Sequence, residues 1–141
     1  MSEMAKRTLA KSHTEALFFL HDQILPEDIL SAILSLPHCH AAQLLRRLGL
    51  DLHLVTREVV TVTHFGPTRK NIRNPSLSAT SLRVIELAAE ESRSLAVAYI
   101  GAAHALLGVL QEEHPASQVL TERKGVRIGD VRHPAGEWAG T

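Results

Sequence analysis

Arg83-Val84-Ile85-Glu86-Leu87-Ala88-Ala89-Glu90-Glu91-Ser92-Arg93-Ser94-Leu95, then Tyr99-Ile100-Gly101, then His104-Ala105-Leu106-Leu107-Gly108-Val109-Leu110, is the stretch that decides the fold. Leu82, Ile85, Leu87, Ala88, Ser92 and Leu95 recur at helical spacing, with Glu86, Glu90, Glu91 and Arg93 on the other face. That pattern predicts an amphipathic helix. Ser78 or Thr80 suits its start, because a hydroxyl accepts the unpaired N–H groups of a first turn. Tyr99-Ile100-Gly101 reads as a short extended break, residues 103–111 as a compact apolar helix, and His114-Pro115 as its end. Residues 116–124 begin another helix.

Moving outward, the same pattern recurs. Shifted by 76 residues, positions 5–34 lie over 81–110 without a gap: Arg7 meets Arg83, Glu15 meets Glu91, Ile24 meets Ile100, Leu30 meets Leu106 and Leu34 meets Leu110. After a one-residue slip, Ala41, Gln43 and Leu45 meet Ala116, Gln118 and Leu120; the slip closes where Gly49-Leu50 meets Gly125-Val126. The shared order of apolar positions and breakers marks two copies of one helical unit. In the first copy a helix over 5–20 is followed by a break at 22–25. Pro26-Glu27-Asp28 opens the second helix, with Pro in the first turn and acids at the positive dipole end. Leu36-Pro37 ends it, 41–48 stops at Gly49, and Asp51 caps a fourth helix reaching about Val62.

These readings predict an all-α protein of two tandem, pseudo-symmetric four-helix repeats forming one compact domain over 1–132. Repeat one takes 1–62, a linker 63–77 and repeat two 78–132. Gly129, Pro134 and Gly136 interrupt the second copy's last helix, so 133–141 is expected to be a loose tail from which Trp138 is free to dock. Hydrophobic residues make up 45% of the chain but Phe, Trp and Tyr only 4%, which suits interlocking Leu/Ala helices better than an aromatic-rich sheet. Fifteen basic and fifteen acidic residues cancel, which argues against a nucleic-acid binder needing clustered excess cations. The cancellation is uneven: residues 63–80 carry Arg69, Lys70 and Arg73 with no acid. A single cysteine, Cys39, fits a reducing compartment and a cytoplasmic location. No apolar run approaches a membrane span, and the N-terminus lacks a signal-peptide core.

Chemistry-bearing motifs are few. His38-Cys39-His40 carries good zinc ligands, but three consecutive residues do not converge on one ion, and structural zinc takes four. His21 and His104, at helix junctions, read as hydrogen-bonded structural histidines. There is no phosphate-binding loop, no H-E-x-x-H and no G-x-S-x-G. Neither a metal nor a cofactor nor a catalytic residue is expected; the alternative these residues offer is a His/Cys metal-binding protein or small enzyme built around His38, Cys39 and His40.

The second copy, from Arg83 through Tyr99-Ile100-Gly101 to Leu110, closely resembles the Clp amino-terminal repeat, the double four-helix module at the front of Clp/Hsp100 unfoldases, especially the ClpC type. The first copy is similar through Ala5-Lys6-Arg7, Glu15-Ala16, His21-Asp22, Ile24 and Glu27-Asp28-Ile29-Leu30, continuing in Gln43-Leu44-Leu45 and Leu48-Gly49-Leu50-Asp51. The likeness covers about 1–132. The ATPase rings that follow this domain in the family have no counterpart in the sequence, so it looks like a stand-alone module.

The resemblance implies a non-enzymatic interaction module, an accessory or adaptor that binds Clp ATPase or peptidase subunits, adaptors or substrate proteins. The alternative role it implies is a decoy or sensor for ligands of the ClpC domain. In ClpC-type domains each repeat can hold a phosphorylated arginine, through a Thr near the start of the first helix and the Glu of a Gly-Thr-Glu-His motif opening the second. A carboxylate accepts guanidinium N–H groups, while a hydroxyl and helix-terminal N–H groups hold phosphate. Carried over copy by copy, Ser2 stands at the first Thr and Glu27 at the first Glu, with Leu25, Pro26 and Asp28 replacing Gly, Thr and His. Ser78 stands at the second Thr, and Gly101 and His104 persist, but Ala102 and Ala103 replace Thr and Glu. The implied pocket residues are therefore Ser2, Glu27, Ser78 and His104, with the second copy lacking its carboxylate.

Overall fold

Helix α1 (Glu3–Phe18) starts where the Ser2 hydroxyl accepts the Ala5 N–H at 3.1 Å. Helix α5 (Ala79–Ser94) starts where the Ser78 hydroxyl accepts the Ser81 N–H at 3.0 Å. Both ends of both helices are related by the 76-residue shift. The computed structural model describes residues 1–66, 74–95, 97 and 99–137. The basic residues Arg69, Lys70 and Arg73, and Trp138, lie outside the described residues.

Helices α2 (Pro26–Leu34) and α6 (Ala102–Gln111) form the centre of the molecule. Every residue of α2 except Glu27 is buried, as is every residue of α6 except Gln111. Helices apolar on all sides belong in a core. Ile29, Leu30 and Ile33 from α2 and Leu106 and Leu107 from α6 are fully enclosed in one cluster spanning both repeats. Each such side chain contributes about 1.5–3 kcal/mol by leaving water.

Helix α3 (His40–Arg47) is capped by the Cys39 sulfur and carries Arg46 and Arg47 in its last turn, where cations suit the dipole. Helix α4 (Leu52–Val62) is capped by Asp51, whose carboxylate accepts the N–H groups of His53 and Leu54. Gly49 and Gly125 occupy equivalent turns with φ of 87° and 67°, a conformation that penalises a side chain.

In the second repeat α7 (Pro115–Gln118) widens into a π-helical turn, Val119–Arg123, with the Lys124 N–H donating to the Val119 carbonyl at 3.1 Å. This widening accounts for the slip in the sequence repeat. One extra residue sits between the third helix's start and the following glycine, and a π turn absorbs one residue without breaking the helix.

Helix α8 (Ile128–Glu137) continues past 133, where a loose tail was expected. Gly129 falls in its first turn, where N–H groups lack helical partners anyway. Pro134 withholds one N–H from a helix held elsewhere. Val131 is fully buried, and Arg132 grips Glu91 of α5 through two nitrogens at 2.6 and 3.0 Å.

Two short strands add to the all-helical plan. β1 (Gln23–Ile24) pairs in parallel with β2 (Ser76–Leu77), Gln23 opposite Ser76 and Ile24 opposite Leu77. The described ends of the segment joining the repeats are thus both held: Gly66 donates its N–H to the Phe19 carbonyl at 2.8 Å, and Ser76–Leu77 joins β1.

Candidate functional site

Each repeat's first helix starts against the other repeat's break. The Ser78 N–H donates to the Ile24 carbonyl at 3.0 Å, and the Ser81 hydroxyl donates to the same oxygen at 2.6 Å. Reciprocally, the Ser2 N–H donates to the Ile100 carbonyl at 2.9 Å. Ser78 therefore sits beside the turn that opens α2 and carries Glu27. Ser2 sits beside the turn that carries Ala102 and Ala103. The copy-by-copy grouping, Ser2 with Glu27 and Ser78 with Ala103, is replaced by a crossed one. The reason is the mutual docking of the repeats: each helix start completes its hydrogen bonding on backbone 22 residues further along in the opposite copy.

The Ser2 side opens into a cavity of about 440 Å³, lined among others by Met4, His38, Cys39, Tyr99 and Ala102. Under the 76-residue shift, Ser2, His38 and Ala103 correspond to Ser78, His114 and Glu27. The charge of Glu27 is felt at His114, where, with Glu112, it opposes the burial that pushes the imidazole down. Backbone docking thus brings the start of α5 beside the turn of α2 that carries Glu27, whose charge reaches His114, while the Ser2 side keeps the cavity and lacks the carboxylate. His114 also caps α7, its Nδ1 accepting the Ser117 N–H at 3.2 Å.

His104 lies inside the protein. Its Nδ1 accepts the Gly101 N–H at 2.8 Å, holding the start of α6. The ring is therefore neutral with Nε2 protonated, and Nε2 has no partner among the described residues. Burial pushes its pKa down, against the charge of Glu91. Asp28 occupies the equivalent place in α2 and does the same work, accepting the Leu25 N–H at 2.9 Å. In the sequence Asp28 is legible as an acid in the first turn of α2 and as a departure from the motif's His, not as a partner of His21. Its partner His21, seven residues away across a break, leaves no periodic signal.

The His38-Cys39-His40 cluster does not converge. Cys39 is fully buried, its sulfur accepting the Ala42 N–H at 3.4 Å, and burial pushes its thiol up, away from a reactive thiolate. Among the described residues no group of three or more His, Cys, Asp or Glu is placed to hold a metal ion. Nor does any described helix have the length and apolarity to cross a membrane.

Two interlocked helical repeats with helix starts facing each other across the junction define an all-α domain of the Clp/Hsp100 amino-terminal class. The chain belongs to the Clp repeat (R) N-terminal domain family, whose model matches residues 1–123. It is 30% identical over 133 residues, 93% of its length, to the chaperone protein ClpB of Oceanobacillus iheyensis. It spans only 14–16% of the length of the first curated relatives it matches. The Hsp104 N-terminal domain of Candida albicans superposes with a TM-score of 0.79 at 17% identity, covering 99% of this chain and 91% of that one. The ClpV N-domain in complex with a VipB peptide gives 0.75 at 16% identity, with coverage of 96% and 84%.

Proposed function

We propose that this chain is a non-catalytic protein-interaction module, an accessory or adaptor-like domain of a cytoplasmic Clp chaperone–protease system. Its partners are Clp ATPase or peptidase subunits, adaptors or substrate proteins. The crossed junction carries the reading: Glu27 opens α2 half-exposed, one turn after the Ile24 carbonyl on which Ser78 is docked. A half-exposed carboxylate at a helix start suits the guanidinium and phosphate of an arginine-phosphorylated protein. A peptide bound to the structurally similar ClpV N-domain supports peptide recognition by this fold.

Native pull-down with the tagged chain tests the reading. Recovery of Clp peptidase or ATPase subunits marks an accessory of the machine. Recovery of arginine-phosphorylated proteins marks a receptor, or a decoy if the Clp ATPase competes for the same proteins. Recovery of neither class contradicts the proposal.

A further inference from the structure

His21 follows Leu20, which has a φ of 59°, in the break between α1 and α2. Its Nδ1 lies 2.7 and 2.9 Å from the two oxygens of Asp28, whose side chain is fully buried. Its Nε2 lies 2.8 Å from the carbonyl of His64, in the chain leaving α4. A carboxylate and a carbonyl only accept. Both ring nitrogens therefore carry hydrogen, or Asp28 holds the second proton and donates it to Nδ1. In either arrangement the pair keeps one proton more than a neutral imidazole beside a carboxylate.

The surrounding charges favour that proton. From α2, Asp28 and Glu27 are negative toward His21. Just past α1, Phe19 stacks on the imidazole at 5.8 Å, and on α1 the acid Glu15 lies with Lys11 at 3.9 Å. Asp22, next along the chain, is exposed, as is the imidazole of His64.

We propose that the His21–Asp28 pair is a proton-operated clamp: holding its extra proton, it pins the His64 carbonyl against the α1–α2 break, and losing it frees the chain that leaves the first repeat. A neutral imidazole has one N–H for two acceptors. The buried carboxylate is the stronger acceptor, so the His64 carbonyl is the one released and meets a nitrogen lone pair.

What the clamp holds is closely fitted. Besides the Gly66–Phe19 hydrogen bond, a Cβ on Gly66 would lie 2.1 Å from the Leu20 carbonyl oxygen. Phe65 rests on Phe19 and Phe18 at centroid distances of 5.3 and 6.1 Å. Release bares Phe19, now 1% exposed, beside the already exposed Phe18.

The direction with pH follows from both groups. Burial alone lowers the His21 pKa, but the bonds to Asp28 and His64 and the charges of Asp28 and Glu27 outweigh it and raise the value above 6.5. Burial raises Asp28 to about 6, against the pull of the Leu25 N–H and His21. Both shifts mean that the folded pair binds its proton more firmly than the unfolded chain. The clamp is closed below the ordinary histidine value and opens as pH rises through the raised one.

The test is a pH titration of the full chain by NMR, following the His21 ring nitrogens and the exchange of the Gly66 amide, with Leu107 as a core reference. The clamp predicts that both ring nitrogens, or one of them and Asp28, are protonated at pH 6. Gly66 protection, corrected for intrinsic exchange, should fall about tenfold per pH unit above the His21 midpoint while Leu107 stays protected. Asp28→Asn should lower the midpoint by about one unit or more, and Gly66→Ala, a steric release, should leave residue 66 unprotected at every pH. A pair without its extra proton at pH 6, pH-independent Gly66 protection, or joint loss at Gly66 and Leu107 would overturn the proposal. If Asp28→Asn fails to fold, the titration of the unaltered protein decides alone.

Discussion

Asp28 concentrates the residue-scale argument. One fully buried carboxylate accepts the Leu25 N–H at the start of α2 and meets His21 Nδ1 through both of its oxygens. Removing one partner of a buried charged pair leaves the other unpaired, at a cost of about 3–5 kcal/mol. Asp28→Ala should therefore lower stability in urea unfolding at pH 6 by about that much. The penalty should shrink at pH 9, because His21, with its raised pKa, no longer contributes there. An equal penalty at both pH values would show that the pair holds no proton to lose. The sequence reading of His21 as a structural histidine agrees with its two hydrogen bonds. Asp28 was legible only as an acid in a first turn, because its contact spans a break where no periodicity operates.

At the scale of elements, the repeat was legible because breakers bracket each helix: Pro26, Pro37, Gly49, Pro115 and Gly125 all fall at or beside the observed ends. The β1–β2 pair was not, since two-residue strands carry no alternation to read. Nor was the extent of α8, whose support comes from Glu91 on a distant helix rather than from its own sequence. Gly108 marks a close helix contact: a Cβ there would lie 2.3 Å from the Val84 carbonyl oxygen, so α5 and α6 approach with no room for a side chain between them. Gly108→Ala should cost about 1–3 kcal/mol through forced separation of those helices, despite alanine's better helix propensity. A stabilised Gly108→Ala protein in thermal unfolding would show that the contact yields freely.

At the scale of the molecule, the repeats share one core and exchange backbone hydrogen bonds at both helix starts. Neither repeat completes its own junction. Unfolding should therefore be a single two-state transition with equal calorimetric and van't Hoff enthalpies. Two resolved transitions would make the repeats independent domains. The crossing also explains why the motif groups the candidate residues by copy: a linear motif lists what lies along a chain and is blind to the opposite copy docked on each helix start.

That regrouping gives the most direct test of the account, a calorimetric titration of the full chain with an arginine-phosphorylated peptide. Loss of a charge-assisted contact costs about 1.5–3 kcal/mol, or at least about tenfold in affinity. Glu27→Ala should weaken binding by that factor, and Ser2→Ala, on the side that lacks the carboxylate, should leave it unchanged. Absence of binding, or binding indifferent to Glu27→Ala, would contradict a ligand site at the crossed junction.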